Sequence, residues 1–484
     1  MLFNSFEFLI FLTIVFCLYW FVFKSLKWQN LFVVVVSYIF YGWWNKTFLL
    51  LIAFTTLCSY FSGLLVQNER QKGSGKYAKL YTFANIFINL SILGVYKYYN
   101  FFVDSFISLF SLFGITLHAT SLNLILPVGI SFYTFQALSY TIDVYRGKLQ
   151  ATKDIVSFFA FVSFFPQLVA GPIERATTLL PQFQKVRTFS YHYAVEGCRQ
   201  MLWGFFKKIV IADNCATYAD MAFNNYNECG SFSLILGAIF FTFQIYGDFS
   251  GYSSIAIGCA KLFGISIRAN FRVPYFSRDI AEFWRRWHIS LNKWFVDYLY
   301  IPLGGSRVSS AKVVRNIFVI FLLSGLWHGA NWTYVTWGLY HACLFIPLIL
   351  TGSNKRFVGD FSEKWLPSLR EGFGMFMTFI LATVGWIIFR AHTIGDALGY
   401  MRRIVSLSSN ESVFVSVRDT LWLIIVIIFM IIIEWLNRNS SYDLQVVPSN
   451  KILRNGFYIL LIAAVYTSFM LSIEDNNTFI YFQF

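Results

Sequence analysis

Apolar residues gather in long blocks near both ends of the chain, separated by short polar connections. Residues 6–23, 48–66, 332–350, 372–389, 421–433 and 457–470 form such blocks. A helix needs about 20 apolar residues to cross a bilayer, and several blocks reach or approach that length. The pattern predicts an all-α, polytopic membrane protein. Between residues 158 and 315 the alternation fails. "FFPQLVAGPIERATTLLPQF" holds three prolines and sets Glu174 and Arg175 beside Gly171 and Pro172. "FTFQIYGDFSGYSSIAIG" puts Gln244, Asp248 and serines inside an apolar run. Irregular backbone at membrane depth must be buried in protein or line a cavity. Polar groups there mark a functional region. The middle third is therefore expected to hold re-entrant segments around an internal cavity.

The reading is of one membrane domain over 1–484, with regular spans in 1–155, a re-entrant core in 156–350 and further spans in 351–484. No internal repeat is visible, which disfavours transporters built from inverted repeats.

Composition agrees with the pattern. The chain is 57% hydrophobic and only 13% charged, against about 25% charged in soluble domains. A net charge of +14 would suggest nucleic acid in a soluble protein. Here the basic residues stand in short loops beside apolar blocks, as the positive-inside rule expects. Lys24 and Lys27, then Arg70, Lys72, Lys76 and Lys79, then Arg146, Lys148 and Lys153 occupy three such loops. Placing these in the cytoplasm puts the N-terminus outside. Membrane lipid, not nucleic acid, is the expected partner. The leader "MLFNSFE" has no basic residue and no cleavage site follows, so the first block is not expected to be a cleaved signal peptide. Seven cysteines are scattered singly, without C-x-x-C. No metal site is expected.

Candidate chemistry lies in two stretches. Residues 281–300 read as an amphipathic helix. Ala281, Trp284, His288, Leu291, Phe295 and Tyr298 form one stripe, while Glu282, Arg286, Lys293 and Asp297 share another face. Pro302 and the Gly304-Gly305 pair stop it. Ten Lys/Arg face three acids between residues 261 and 315. Interfacial anchoring by the tryptophans is favoured over phosphate binding for this surface. Arg307, Lys312 and Arg315 are the candidates should it meet a phosphorylated donor.

The second stretch, "LLSGLWHGANWTYVTWGLYHACLF", carries two of the six histidines, His328 and His341. On one continuous helix their 13-residue spacing is about 20 Å, too far to share a site. Gly325, Gly329 and Asn331 could break that helix near His328. The small neighbours of His328 leave room for a substrate, and an intramembrane ionisable group favours function there. His341 has bulky neighbours and reads as a satisfied core residue. His118, His192 and His392 read as loop residues.

Together these stretches resemble the membrane-bound O-acyltransferase family, in its bacterial alginate O-acetyltransferase branch. The carriers are "MLFNSFEFLIFL", "LPVGISFYTFQALSYTIDVYRG", "FFPQLVAGPIER", "YGDFSGYSSIAIG", "FWRRWHISLNKWFVDYLYIPLGG" and "GLWHGANWTYVTWGLYH", in order from Met1 to His341. The resemblance implies about eleven spanning helices, with re-entrant and interfacial helices around a central tunnel. It implies catalysis by His328 of "WHG" and by His288 of "RRWHISL". It also implies a thioester donor, acetyl-CoA or an acyl carrier protein, and acceptance by an exported polysaccharide or an extracytoplasmic acyltransferase. The expected location is the bacterial inner membrane. Peptidoglycan O-acetylation and D-alanyl transfer to teichoic acid are the close alternatives. A transporter or flippase is the alternative of another class.

Overall fold

The computed structural model describes residues 1–117, 120–122, 124–169, 171–362, 364–409 and 415–471. His118 lies outside them. No β-strand occurs among the described residues. The chain divides into two compact units, one of 1–194 with 259–268, the other of 195–258 with 269–484.

The first unit carries α1 (Phe6–Cys17), α2 (Leu26–Gly42), α3 (Thr47–Gln71), α4 (Gly75–Leu93), α5 (Tyr99–Ser111), α6 (Ile130–Tyr145), α7 (Ile155–Ser163), α8 (Phe165–Leu168) and α9 (Ala176–Phe183). Some of its buried polar groups are paired across helices. Asn30 on α2 donates to Ser157 Oγ at 3.0 Å and to the Phe183 carbonyl at 2.7 Å, and accepts from Arg187 at 2.6 Å. Such bonds matter where no water can replace them. Glu174, buried, accepts the Arg268 backbone N–H at 2.6 Å. It is a structural acceptor of its own unit.

The second unit holds most of α10 (Tyr191–Phe205), then α11 (Asp213–Asn224) and most of α12 (Ser231–Leu262). It continues with α13 (Ile280–Arg286), α14 (Ile289–Phe295), α15 (Ser310–His328), α16 (Trp332–Leu350), α17 (Leu369–Arg390), α18 (Ile394–Val405), α19 (Val417–Leu436) and α20 (Lys451–Leu471).

Among the described residues, eight helical segments are long and apolar enough to cross a membrane: α3, α4 running on into α5, α12, α15, α16, α17, α19 and α20. The apolar stretch containing α1 is shorter, and α2 and α6 have 17 and 16 residues. The apolar block 332–350 coincides with α16.

Two readings of the middle third change. The stretch with Gln244, Asp248 and the serines is not broken; it lies within the single 32-residue helix α12. Its charge is met by an ion pair, Lys208 Nζ standing 2.7 Å from Asp248 and 2.7 Å from Asp213. Residues 281–300, by contrast, are not one helix. They form α13 and α14, separated at Trp287–His288, with a π-helical turn over Val296–Tyr300.

The break changes what the charged face does. Glu282 is buried and bonds to both Arg278 and Arg286, at 2.9 and 3.0 Å. Arg286 lies over the Phe361 ring at 3.8 Å, and Arg278 also reaches Glu371 at 3.0 Å. These charges are an interior clamp, not a solvated stripe. Trp284, Trp287 and Trp294 are likewise buried, so they pack the core instead of anchoring the helix at an interface.

Candidate active site

His328 is placed by a helical hairpin. α15 ends at His328, and α16 starts behind Asn331, whose side chain caps it by accepting the Thr333 N–H at 3.0 Å. The break falls at Gly329–Asn331, while Gly325 stays helical. Its missing side chain lets α16 come close: a Cβ on Gly325 would sit 2.2 Å from the Tyr334 carbonyl oxygen, and one on Gly338 2.2 Å from that of Phe321. Small residues at such crossings allow the backbone contact that holds membrane helices together. His328 is 3% exposed. Its ring packs against Trp327, Trp337 and Phe389 at centroid distances of 5.0, 5.1 and 5.4 Å.

The hairpin also removes the premise that separated the two histidines of this stretch by about 20 Å. His341 packs at 5.1 Å on Trp337, the same indole that contacts His328. His341 is fully buried among Phe283, Trp284 and Phe321. Neither of its ring nitrogens has a hydrogen-bond partner among the described residues. It is a core residue, but not a satisfied one.

His288 is placed by strain. Its backbone is left-handed, with φ 43° and ψ 53°, a region costly for a residue with a Cβ. The Asn270 side chain holds the turn. Its Oδ1 accepts the Ser290 N–H at 3.1 Å and the Ser290 hydroxyl at 2.9 Å, and lies 3.1 Å from His288 Nδ1. A backbone N–H can only donate, so the Asn270 oxygen faces this side. His288 Nδ1 therefore carries the proton, and the neutral ring presents its lone pair at Nε2. Burial pushes the imidazole well below its usual pKa of 6.5, so it is neutral at pH 7.

The structure brings His288 and His328 together. Their ring centroids stand 6.4 Å apart, and Phe249 and Trp327 close the sides of His288 at 4.7 and 5.6 Å. Even with a ring nitrogen of each pointing at the other, the nitrogens stand roughly 4 Å apart, beyond a direct hydrogen bond of about 3 Å, yet suited to one oxygen atom between the ring edges. Two imidazoles around one oxygen, in an aromatic shell that limits water, can accept a hydroxyl proton and return it.

A cavity of about 760 Å³ lies nearby in the same unit. Trp284, Phe321, Phe345 and Ile349 give it an apolar wall, and Arg285, Lys293 and Lys355, with one acid, Asp297, a charged and net basic one. It reaches Ser324, one helical turn before His328 on α15, and Trp284, which meets Trp337 at 5.5 Å. Arg285 holds the rim by donating to the Asn354 and Phe357 carbonyls, each at 2.8 Å. Arg307, Lys312 and Arg315 are all exposed and do not line this cavity. No cluster of three or more metal-ligating side chains occurs among the described residues. His392 is exposed and lends its backbone carbonyl to Asn331 at 3.0 Å. His192 is exposed.

Sequence reasoning missed Asn270, Arg285 and Lys355. Asn270 lies 18 residues before His288, in a connection without periodicity. A lone amide in "RANFRVPYF" was its only signal.

The family profile described as "MBOAT, membrane-bound O-acyltransferase family" matches residues 149–384, which include both histidines and the basic cavity wall. "Probable alginate O-acetylase AlgI" of Pseudomonas aeruginosa is 41% identical over 76% of this chain and 68% of its own length. The "Peptidoglycan O-acetyltransferase" of Helicobacter pylori is 32% identical over 95% of this chain and 92% of its own. The "Teichoic acid D-alanyltransferase" of Bacillus subtilis is 31% identical over 55% of this chain and 69% of its own.

Proposed function

The chain belongs to the membrane-bound O-acyltransferase family, and from that premise we propose that it moves an acetyl group from a cytoplasmic thioester to a hydroxyl of an exported cell-envelope polysaccharide. The observation that carries the proposal is the pair His288–His328, 6.4 Å apart in an aromatic shell beside a basic cavity.

His328 acts as general base. It takes the acceptor hydroxyl proton as that oxygen attacks the thioester carbonyl. The tetrahedral intermediate expels the thiolate, which receives the proton from His328, so the step is neutral overall. His288 has its Nδ1 proton committed to Asn270. Its Nε2 is therefore suited to accept a hydrogen bond from the incoming hydroxyl, and not to donate one to the oxyanion. The aromatic surround slows hydrolysis of the thioester.

The donor is acetyl-CoA. The cavity supports this by its chemistry: an apolar wall for an acyl-pantetheine arm and three cations, Arg285, Lys293 and Lys355, for phosphates. Activity confined to an acyl carrier protein would replace that donor. The basic loops support a multi-pass inner-membrane location with the N-terminus extracytoplasmic. The acetyl group reaches the polymer directly or through an extracytoplasmic acyltransferase.

The relatives support an envelope glycan as acceptor. Peptidoglycan is the second reading, favoured by one observation: its relative aligns over nearly the full length of both chains. The test is acetate on the isolated polymers of cells carrying His328→Ala. Loss of acetate from one polymer, with its export intact, identifies the acceptor. Unchanged acetylation of every envelope polymer at normal protein level would sink the reading.

A further inference from the structure

Asn270 is fully buried and has two working sides. Its Oδ1 is committed to Ser290 and His288. Its Nδ2 has no hydrogen-bond partner among the described residues, and the residue lines a second, smaller cavity of about 60 Å³. The Ser250 and Ser253 hydroxyls and the Gln200 Oε1 line the same cavity, are at least as poorly exposed as 5%, and likewise have no partner among the described residues.

Buried polar atoms are satisfied in folded proteins, by water where protein cannot reach. A water needs roughly 10–15 Å³ on this measure, so the cavity takes a few. The far wall is charged: Lys207 bonds Ser254 at 3.2 Å and pairs with Asp443 at 3.6 Å, while Tyr246 donates to Glu434 at 2.8 Å. Water there has both donors and acceptors to bridge.

We infer that Asn270 is the positioning residue of the acyl-transfer site, an amide that is locked between this hydrated chamber and His288 and thereby fixes which His288 nitrogen faces the reaction. An amide is what both sides require. The His288 and Ser290 side needs an acceptor, and the chamber side needs a donor for water, serine or Gln200. Reversal would set N–H against N–H at Ser290 and is excluded. With Nδ1 held as N–H, His288 offers Nε2 as a lone pair. A carboxylate at position 270 would also accept, but would favour imidazolium. The charged and titratable groups around this pair are His328 on the reaction side and, across the chamber, Lys207, Tyr246, Arg272, Glu434, Arg438 and Asp443. Burial keeps His288 neutral against them.

This inference rests on the proposed two-histidine chemistry. The test is acetyl transfer by the purified full-length protein in detergent, with labelled acetyl-CoA and a soluble glycan, measured from pH 5 to 9. Asn270→Asp should raise the acid limb of kcat, which neutral His288 keeps below this range in the wild type, up into it, with donor KM changed less than twofold. Asn270→Ala should lower kcat about 10–100-fold in the wild type and have no further effect in a His288→Ala background. An Asn270→Asp profile that superimposes on the wild type overturns the inference. So does an Asn270→Ala loss that multiplies with that of His288→Ala. If His328→Ala keeps full transfer, the two-histidine reading itself fails; if it is inactive while the Asn270 results are null, only the Asn270 inference fails.

Discussion

The two catalytic candidates are held in opposite ways. His328 ends a regular helix, and its place follows from a close hairpin crossing at Gly325 and Gly338. His288 sits at the break between two short helices, in a left-handed turn tied down by Asn270. One position is set by regular packing with nothing in the way. The other is set by local strain that a buried amide and an ion-paired clamp must hold. The difference teaches that the hairpin should tolerate change at its polar edges but not at its crossing, whereas the broken segment should fail wherever its polar partners are removed.

The largest expected effect tests the crossing. Gly338→Leu forces a side chain onto the Phe321 carbonyl, at a cost of about 3 kcal/mol or more. It should abolish folded protein, measured by size-exclusion chromatography in detergent. Gly372→Ala, where the added methyl meets nothing within 4 Å, should leave it unchanged. Equal behaviour of the two variants would break the packing half of the comparison.

Next is the clamp. Glu282→Gln leaves Arg278 and Arg286 without their shared buried carboxylate. A loss of about 3 kcal/mol is expected, read as a lower thermal unfolding midpoint together with lower kcat. An unchanged midpoint would mean the charges are solvated after all.

His341→Ala sharpens the comparison from a third position. The residue has packing but no hydrogen-bond partner among the described residues. Its loss should cost about 2–3 kcal/mol of stability through the cavity left behind, and less than tenfold in activity per folded molecule. A loss of activity as deep as that of His328→Ala, at normal stability, would move His341 into the chemistry.

The smallest effect is on pH. His288 in the unfolded chain takes a proton below about pH 6.5, while burial pushes its folded value down to about 3. Between those values the unfolded state binds the extra proton, so stability falls as pH drops from 6.5 toward 3 and is unaffected above. Unfolding midpoints from pH 7.5 to 5 should fall more for the wild type than for His288→Asn. Parallel curves would contradict the buried, neutral assignment.

The spans and the helix end at His328 were legible because both rest on local pattern. The block 332–350 is α16, and "WHG" stands where apolar periodicity meets glycine. The broken segment was not legible. Its apolar spacing fits a helix through His288, and the features that overrule it are distant. Asn270 is 18 residues from His288, and Glu371 is 93 from the Arg278 that it holds. Periodicity also could not show that Glu282 and Arg286 turn inward, since the same spacing describes a solvated face. That Arg307, Lys312 and Arg315 stand outside the cavity was not legible for a similar reason. Charge density in the sequence does not say which cations line a cavity, and Arg285, Lys293 and Lys355 do.

In the proposed chemistry His328 carries the proton in acyl transfer, with His288 assisting. The most direct measurement of that role is single-turnover transfer of labelled acetyl from acetyl-CoA to a glycan by purified wild type, His328→Ala and His288→Ala, each shown to be folded. His328→Ala should lose at least about 1,000-fold and His288→Ala less, with donor binding retained in both. Transfer by folded His328→Ala within tenfold of the wild type would contradict that role.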